Sequence, residues 1–494
     1  MYVVPAQLLR SLYNALSEYF ASDTAEASLG QGVTAAVRLL ESRERGATAK
    51  LHARLARLGE VVTALAPYDV GVNLSEVSAK IDPTRTLTDI AELEIAMRES
   101  LKLLEAKVNA IVGAPVTTPA ARLEIARILG AWEVAERRAV TDLGDADAAA
   151  VDTSLTQAKF EAYLQDRFSE PGMTVTSFRP LSGGFGKQTI LATVSGSALD
   201  GPIVIRRDPD VATVDNDCHR VVKEFPVIRA AFDRGFPAPD AIWVDTDHKL
   251  LPGPDFLVMR MSPGKTGGNV FGSKEALSSE LLNVLGSGAA RLHTLPPLHE
   301  LGEVTDSIRA ELWDQTLEQT TRSYIEGWRD LFLANVHNPS PTLMALYGWL
   351  LDNVPAPEGR PVLVHGDIGF HNMLIDEGRL SALVDWEFAH IGDPAEDLGS
   401  VRNVIGDVEW AETLACYRAA GGPEIDAKRL HFFRVWQHVR NASASNLSMG
   451  KFQTGEIPDL KLAYTGHYHF PLFIGAAWAL IEAGPEGRMG LVEY

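Results

Sequence analysis

HGDIGFHN, residues 365–372, and LVDWEFAHIGD, residues 383–393, are the stretches that decide the fold. Each follows a short apolar run, Val362-Leu363-Val364 and then Ala382-Leu383-Val384, and each breaks at once into a polar loop. An acidic residue where a strand gives way to a loop can accept a hydroxyl proton or orient a hydroxyl for attack, and Asp367 stands there. Asn372 offers a neutral oxygen and Asp385 a charged one, the donor types a hard cation such as Mg²⁺ takes. Between them MLIDEGRLSAL, residues 373–383, reads as a hairpin that would set Asn372 and Asp385 side by side.

Polar residues at such places can also serve merely as turn caps, but the ordered set argues for chemistry. Asp367 and Asn372 have the D-x-x-x-x-N spacing of a kinase catalytic loop. His365 is expected to pack beneath the loop and bond backbone. His371, His390 and Asp393 lie close in sequence, yet no H-E-x-x-H or comparable spacing supports zinc.

Upstream, LSGGFGKQTIL, residues 181–191, places Gly183, Gly184 and Gly186 between two predicted strands. Glycines there let backbone amides approach phosphates. The stretch is not a G-x-x-x-x-G-K-[ST] loop, because Gln188 stands where the hydroxyl is needed. An ordinary tight turn and a hairpin lid over a triphosphate both remain open. The next strand carries Arg206 and Arg207 in GPIVIRRD, residues 201–208. Alternation points one into a cleft and the other away, without deciding which. Glu224, on the following predicted helix, could hold the inward arginine by a bidentate pair.

The chain has 494 residues and a formal charge of −20 from 45 basic and 65 acidic side chains. That length suggests two or three domains. The acidic balance speaks against nucleic acid as a partner while leaving a phosphate-bearing ligand open. Two cysteines, Cys218 and Cys416, allow no disulfide framework, and a reducing, cytoplasmic compartment is expected. No secretory signal and no membrane span is evident. Residues 1–150 are rich in Ala, Leu, Glu and Arg and read as an N-terminal helical domain. Met97, Leu101, Leu104 and Val108 mark one helix face, and Thr118-Pro119 the start of another helix carrying Ile125, Ile128, Leu129 and Trp132. The acidic, small-residue segment 143–154 reads as a linker. Residues 155–265 hold short β-branched runs around one helix, and 266–494 are mainly helical, with segments 275–295 and 311–336 expected as the longest helices.

Taken in order, LSGGFGKQTI, IVIRRD, Glu224 in VVKEFPVIRA, FLVMRMSPG, GAARLHTLP, VLVHGDIGFHNML and ALVDWEFAHIGDPAEDLG resemble the aminoglycoside phosphotransferase and choline-kinase group of kinase-like small-molecule phosphotransferases. The likeness covers about 155–400. It implies an α+β, bilobal protein-kinase-like fold: a small antiparallel-sheet lobe at 155–265 binding nucleotide, a mainly helical large lobe at 266–494 with catalytic loop and acceptor site, and the extra all-helical domain at the N-terminus. It further implies ATP or GTP between the lobes, Asp367 as catalytic base, Asn372 and Asp385 on Mg²⁺, and Glu224 anchoring the phosphate-gripping cation. The hinge strand would offer backbone at Met259–Met261 to the adenine edge. One departure stands out: Arg206 occupies the place of the usual strand lysine, and a guanidinium spreads charge over a planar fork where an ammonium is a point charge.

The acceptor would be a small-molecule hydroxyl. Aromatic residues from Trp313 to Trp349, and again at 431–438 and 468–480, lean toward a neutral or apolar alcohol over a cationic sugar. The N-terminal helices could dock on the large lobe and narrow acceptor access, or dimerise the protein. Two other classes compete. One is a non-catalytic or weakly active nucleotide-binding module, for which Arg206 leaves room. The other is a protein kinase, against which D-W-E in place of D-F-G and the missing A-P-E speak.

Overall fold

The computed structural model describes residues 47–140, 155–181, 186–214, 219–267, 277–297, 308, 310–457 and 459–485. The expected linker at 143–154 lies outside them. The first part is helical: α1 (Ala47–Leu65), α2 (Ser75–Ile81), α3 (Ile90–Gly113) and α4 (Pro119–Val140). Asp89 starts α3 by accepting the Glu92 N–H at 3.0 Å, which satisfies one of the donors a helix start leaves open. The face expected from spacing is buried: Met97, Leu101, Leu104 and Val108 are at most 3% exposed, with Leu93 and Ile111 extending the stripe. Each such side chain contributes about 1.5–3 kcal/mol when fully buried. Thr118 Oγ accepts from the Ala121 N–H, so the expected start of α4 is also found.

These helices do not pack only on one another. Their apolar faces share one core with α9 (Pro341–Asp352) and α14 (Phe470–Ala483). Gly348 lets α9 approach closely, since a Cβ there would land 2.3 Å from Val112 on α3. Polar ties follow the same seam: Arg122 pairs with Asp352, Arg98 Nη2 meets His337 Nδ1 at 3.1 Å, and Glu105 accepts the Ser340 N–H.

After α5 (Gln157–Phe168) comes a five-stranded antiparallel sheet in the order β1-β2-β3-β5-β4. Its strands are β1 (Thr174–Leu181), β2 (Gln188–Ser195), β3 (Gly201–Arg207), β4 (Ala241–Asp245) and β5 (Phe256–Arg260). One face buries Ile190, Ile203, Ile205 and Val258 against Phe160 and Tyr163 of α5. On the other side lies α6 (Val221–Asp233), whose N-terminus is held to the end of β3 because Asp208 accepts the Val221 N–H at 3.1 Å.

The large lobe contains α7 (Ser279–His293), α8 (Leu317–Asn335), α9, α10 (Ala395–Val404), α11 (Asp407–Ala419), α12 (Ala427–Thr454), α13 (Leu460–Tyr464) and α14. The expected helices at 275–295 and 311–336 are present as α7 and α8, the latter opened by a Thr316–Gln319 capping box. They are not the longest, however. Among the described residues that is α12, with 28 residues, whose Ser- and Asn-rich second half is a poor helix former held by burial nearly all round. Set among the helices are β7 (Val362–Val364) paired with β10 (His390–Gly392), and the hairpin β8 (Met373–Asp376) and β9 (Arg379–Leu383), with β6 (Lys265–Thr266) along β8. The architecture is thus the expected small antiparallel lobe plus helical lobe, with helices added before it. Among the described residues no helix is long and apolar enough to cross a membrane.

Candidate active site

The HGD loop is fixed from below. Gly366 takes φ +80°, and a Cβ there would sit 2.6 Å from the Phe388 carbonyl, so only glycine fits. The His365 and Gly366 amides donate to Asp397 at 3.0 and 2.8 Å, and Asp397 in turn meets His293 Nε2 at 3.0 Å. His293 is held through Nδ1 by the Tyr417 hydroxyl at 2.9 Å. His365 does pack beneath the loop: its Nε2 donates to the Val384 carbonyl at 3.0 Å, tying the HGD loop to the DWE segment. Sequence reasoning assigned no role to Asp397, although it lies within the GDPAEDLG stretch.

Asp367 is half-buried above this base. Its Oδ2 accepts from Asn372 Nδ2 at 3.0 Å and meets His371 Nε2 at 3.2 Å. Asn372 Nδ2 also donates to the Asp367 carbonyl at 2.9 Å. Burial works to raise the Asp367 carboxyl, but the hydrogen bond and charge of His371 outweigh it and hold the group below its ordinary value. For His371 burial works downward, and the Asp367 partner prevails, raising the imidazole.

The hairpin expected at 373–383 forms, closed by Glu377 and Gly378, both at positive φ, as a two-residue turn requires. It pairs Met373 with Leu383, and the Val384 N–H donates to the Asn372 carbonyl at 2.9 Å. Asn372 and Asp385 are thereby brought together at the open end of the hairpin. Asp385 itself takes φ +67°, an uncommon conformation for a non-glycine residue, where strain accompanies the turn out of β9.

Four charged side chains, Lys187, Arg206, Glu224 and Glu387, gather beside Asp385. Strand parity resolves in favour of Arg206, which reaches Asp385 Oδ1 through Nη2 at 2.7 Å, while Arg207 is buried near Gly253. The bidentate Glu224–arginine pair expected from sequence does not form: Arg206 Nε is 3.7 Å from Glu224 Oε2. The reason is that Glu224 is taken by Lys187, which also bonds Glu387 Oε2 at 2.9 Å. Lys187 was missed, and its place directly after Gly186 was the signal that could have found it. Burial alone would raise the Glu387 carboxyl, but Lys187, His219 and Arg206 bring it down to about 2. His219, half-buried against Phe388 with rings 4.7 Å apart, is pushed down to about 4 by the loss of solvent around it. Arg440 lies 4.4 Å over the Phe388 ring and bonds Glu396 at 3.2 Å, a buried cation behind the loop that sequence reasoning also left out.

The remaining expectations divide. Gly183 and Gly184 lie outside the described residues. Gly186 is at the cleft, where a Cβ would approach Glu387 Oε2 to 3.4 Å. Met259 sits inside β5, bonded on both edges, and the Met261 N–H is donated to the Pro202 carbonyl at 3.1 Å. The Met261 N–H is therefore already donated between strands. Among the described residues no group of three or more His, Cys, Asp or Glu side chains could hold a metal ion, so the His/Asp-rich segment builds no such cluster.

The model of the APH phosphotransferase enzyme family matches residues 177–433, more than half of the chain. This chain belongs to that family. The matched span takes in Lys187, Arg206, Glu224, Asp367, Asn372 and Asp385, while α1–α4 fall outside it. Among curated relatives, acyl-CoA dehydrogenase family member 11 of Gallus gallus is 25% identical over 60% of this chain and 40% of its own length. Viomycin phosphotransferase of Streptomyces vinaceus is 40% identical over 12% of this chain and 22% of its own. The chain thus spans less than half the length of these two relatives. Among solved structures, an aminoglycoside phosphotransferase-type protein of Ralstonia eutropha is 17% identical, covers 66% of this chain and 98% of its own, and has a TM-score of 0.49. With the two lobes and the convergent loops already described, this phosphotransferase-family chain has the kinase-like fold with an added N-terminal helical region.

Proposed function

We propose that this protein transfers the γ-phosphoryl group of ATP, or GTP, to a hydroxyl of a small molecule. The observation that carries the reading is the placing of Asp367, Asn372 and Asp385 on adjoining loops, Asn372 bonded to Asp367 and joined through the hairpin to the strand end that precedes Asp385, above the Asp397 anchor. Asp367 would receive the acceptor's proton or orient its hydroxyl; a carboxylate held below its ordinary value is ready as an acceptor at neutral pH. Asn372 and Asp385 suit Mg²⁺. Anchoring the Asn372 amide nitrogen on Asp367 leaves its oxygen for a cation, and Asp385 adds a carboxylate about a third exposed. Bound there, Mg²⁺ would neutralise charge on the transferring phosphate.

The acceptor remains a class. Trp328, Phe332 and Tyr347 are buried in the core, which removes them from any acceptor surface. Phe388, half-buried three positions beyond Asp385 and packed by His219 and Arg440, favours an acceptor with an apolar face. The test is a transfer screen. The chain is incubated with Mg²⁺ and ATP or GTP against pooled aminoglycosides, amino alcohols, sugars and apolar alcohols, and product masses are read. A gain of one phosphate is expected, with Asp367→Ala losing about 10²–10⁴-fold in turnover while retaining nucleotide affinity. Full activity of that variant would remove Asp367 from the role. A second reading, nucleotide binding without transfer, draws on the Arg206–Asp385 bond, which occupies a carboxylate that Mg²⁺ would need. It predicts nucleotide binding with no phosphorylated product in any pool.

A further inference from the structure

Two cations stand in the cleft, and they are not equivalent. Arg206 takes the strand position at which the resemblance places the phosphate-gripping residue, yet its Nη2 is committed to Asp385 and its buried Nε has no hydrogen-bond partner. Lys187 comes from the glycine-containing loop, next to Gly186. Its side chain is 3% exposed and lies between Glu224 on α6 and Glu387 of the DWE segment. So the helix carboxylate that should hold the gripping cation holds Lys187.

We propose that Lys187, not Arg206, is the side chain that grips the nucleotide phosphates, with Arg206 serving as the counter-ion that holds Asp385 in place. This rests on the nucleotide-dependent reading above. Three observations favour it. An ammonium has three N–H donors; Glu387 accepts one and Glu224 stands beside it as an ion-pair partner, which leaves a donor for a phosphate oxygen. The lysine is a compact charge directly after Gly186, and a point charge suits a phosphate oxygen. Finally, Glu387 is two residues from Asp385, so the segment that carries the metal-binding carboxylate also positions the lysine. The arginine fork, by contrast, is directed at Asp385, a carboxylate that the fold holds at positive φ and that Arg206 steadies.

The experiment is a calorimetric titration of the full chain with a non-hydrolysable ATP analogue, in EDTA and in Mg²⁺, for the parent, Lys187→Met, Lys187→Arg and Arg206→Gln. The expected result is a loss of about ten-fold or more in affinity for Lys187→Met in both media. Lys187→Arg recovers part of that loss. Arg206→Gln stays within about three-fold of the parent in EDTA and departs from it only when Mg²⁺ is varied. Because Lys187→Met leaves Glu224 bare, the double variant Lys187→Met/Glu224→Gln is measured too, and it decides the case if the single variant fails to fold. A loss in EDTA for Arg206→Gln, or an unchanged affinity without Lys187, overturns the proposal while leaving the nucleotide reading intact. A parent that binds no nucleotide in either medium overturns both.

Discussion

Asp367 and His371 are a pair whose charges depend on each other. The Asp367 carboxyl lies below its ordinary 3.8 and the His371 imidazole above its ordinary 6.5. The stability Asp367 contributes is present above 3.8 and lost as pH falls through its depressed folded value. That of His371 is present below 6.5 and lost as pH rises through its raised value. Both are charged in the window between. If Asp367 is the base, His371→Ala removes a hydrogen bond and a positive charge from it. The acid limb of the kcat/KM profile should then move to higher pH, and a limb that stays put would sink the coupling. At this scale the sequence was readable where spacing recurs: Asn372 bonds Asp367 within the D-x-x-x-x-N stretch, and the hairpin between Asn372 and Asp385 forms. Lys187 was not readable, because its partners, Glu224 and Glu387, are 37 and 200 positions away and no local pattern names them.

The hairpin β8–β9 is the element on which the Asn372–Asp385 geometry rests. Gly378 closes it at φ +73°, with a would-be Cβ overlapping the Glu280 carboxylate, the end of a flexible side chain. Left-handed backbone costs a residue with a Cβ about 1–2 kcal/mol. Gly378→Ala should therefore destabilise the protein by about that amount in urea unfolding. An unchanged midpoint would show that the turn can relax into another type. The hairpin itself was legible, because MLIDEGRLSAL sets two short runs around a glycine-bearing turn. Helix α12 was only partly so. Its HFFRVWQH half is plainly apolar, but SASASNLS has no helical preference, and the helix persists there because Ser443, Ser445, Asn446 and Ser448 are packed on by neighbouring helices.

Across the whole molecule, α1–α4 are joined to the large lobe through a buried carboxylate. Glu105 accepts the Ser340 N–H at the start of α9, and burial pushes its pKa up to about 7, against the smaller opposing effects of that bond and of Lys102. A carboxyl raised in the folded state holds its proton after the unfolded chain has released its own. Stability therefore falls as pH rises from 4.5 to about 7 and levels off beyond. Glu105→Gln keeps an acceptor for Ser340 without the charge. It should raise the melting temperature at pH 8, by an amount equivalent to about 1–3 kcal/mol, and flatten the pH dependence below 7. An equal or lower melting temperature at pH 8 would mean that Glu105 is better solvated than its burial implies. By itself the sequence determined the helical and strand segments, the α+β class and the polar set of the HGD and DWE loops, because periodicity, turn residues and motif spacing are local. Only the tertiary structure decided that α1–α4 share a core with α9 and α14, that Asp397 anchors the HGD loop, and that Glu224 chooses Lys187 over Arg206. Those outcomes depend on which faces and charges meet across long stretches of chain, where burial makes an unpaired carboxylate or cation too costly to leave alone.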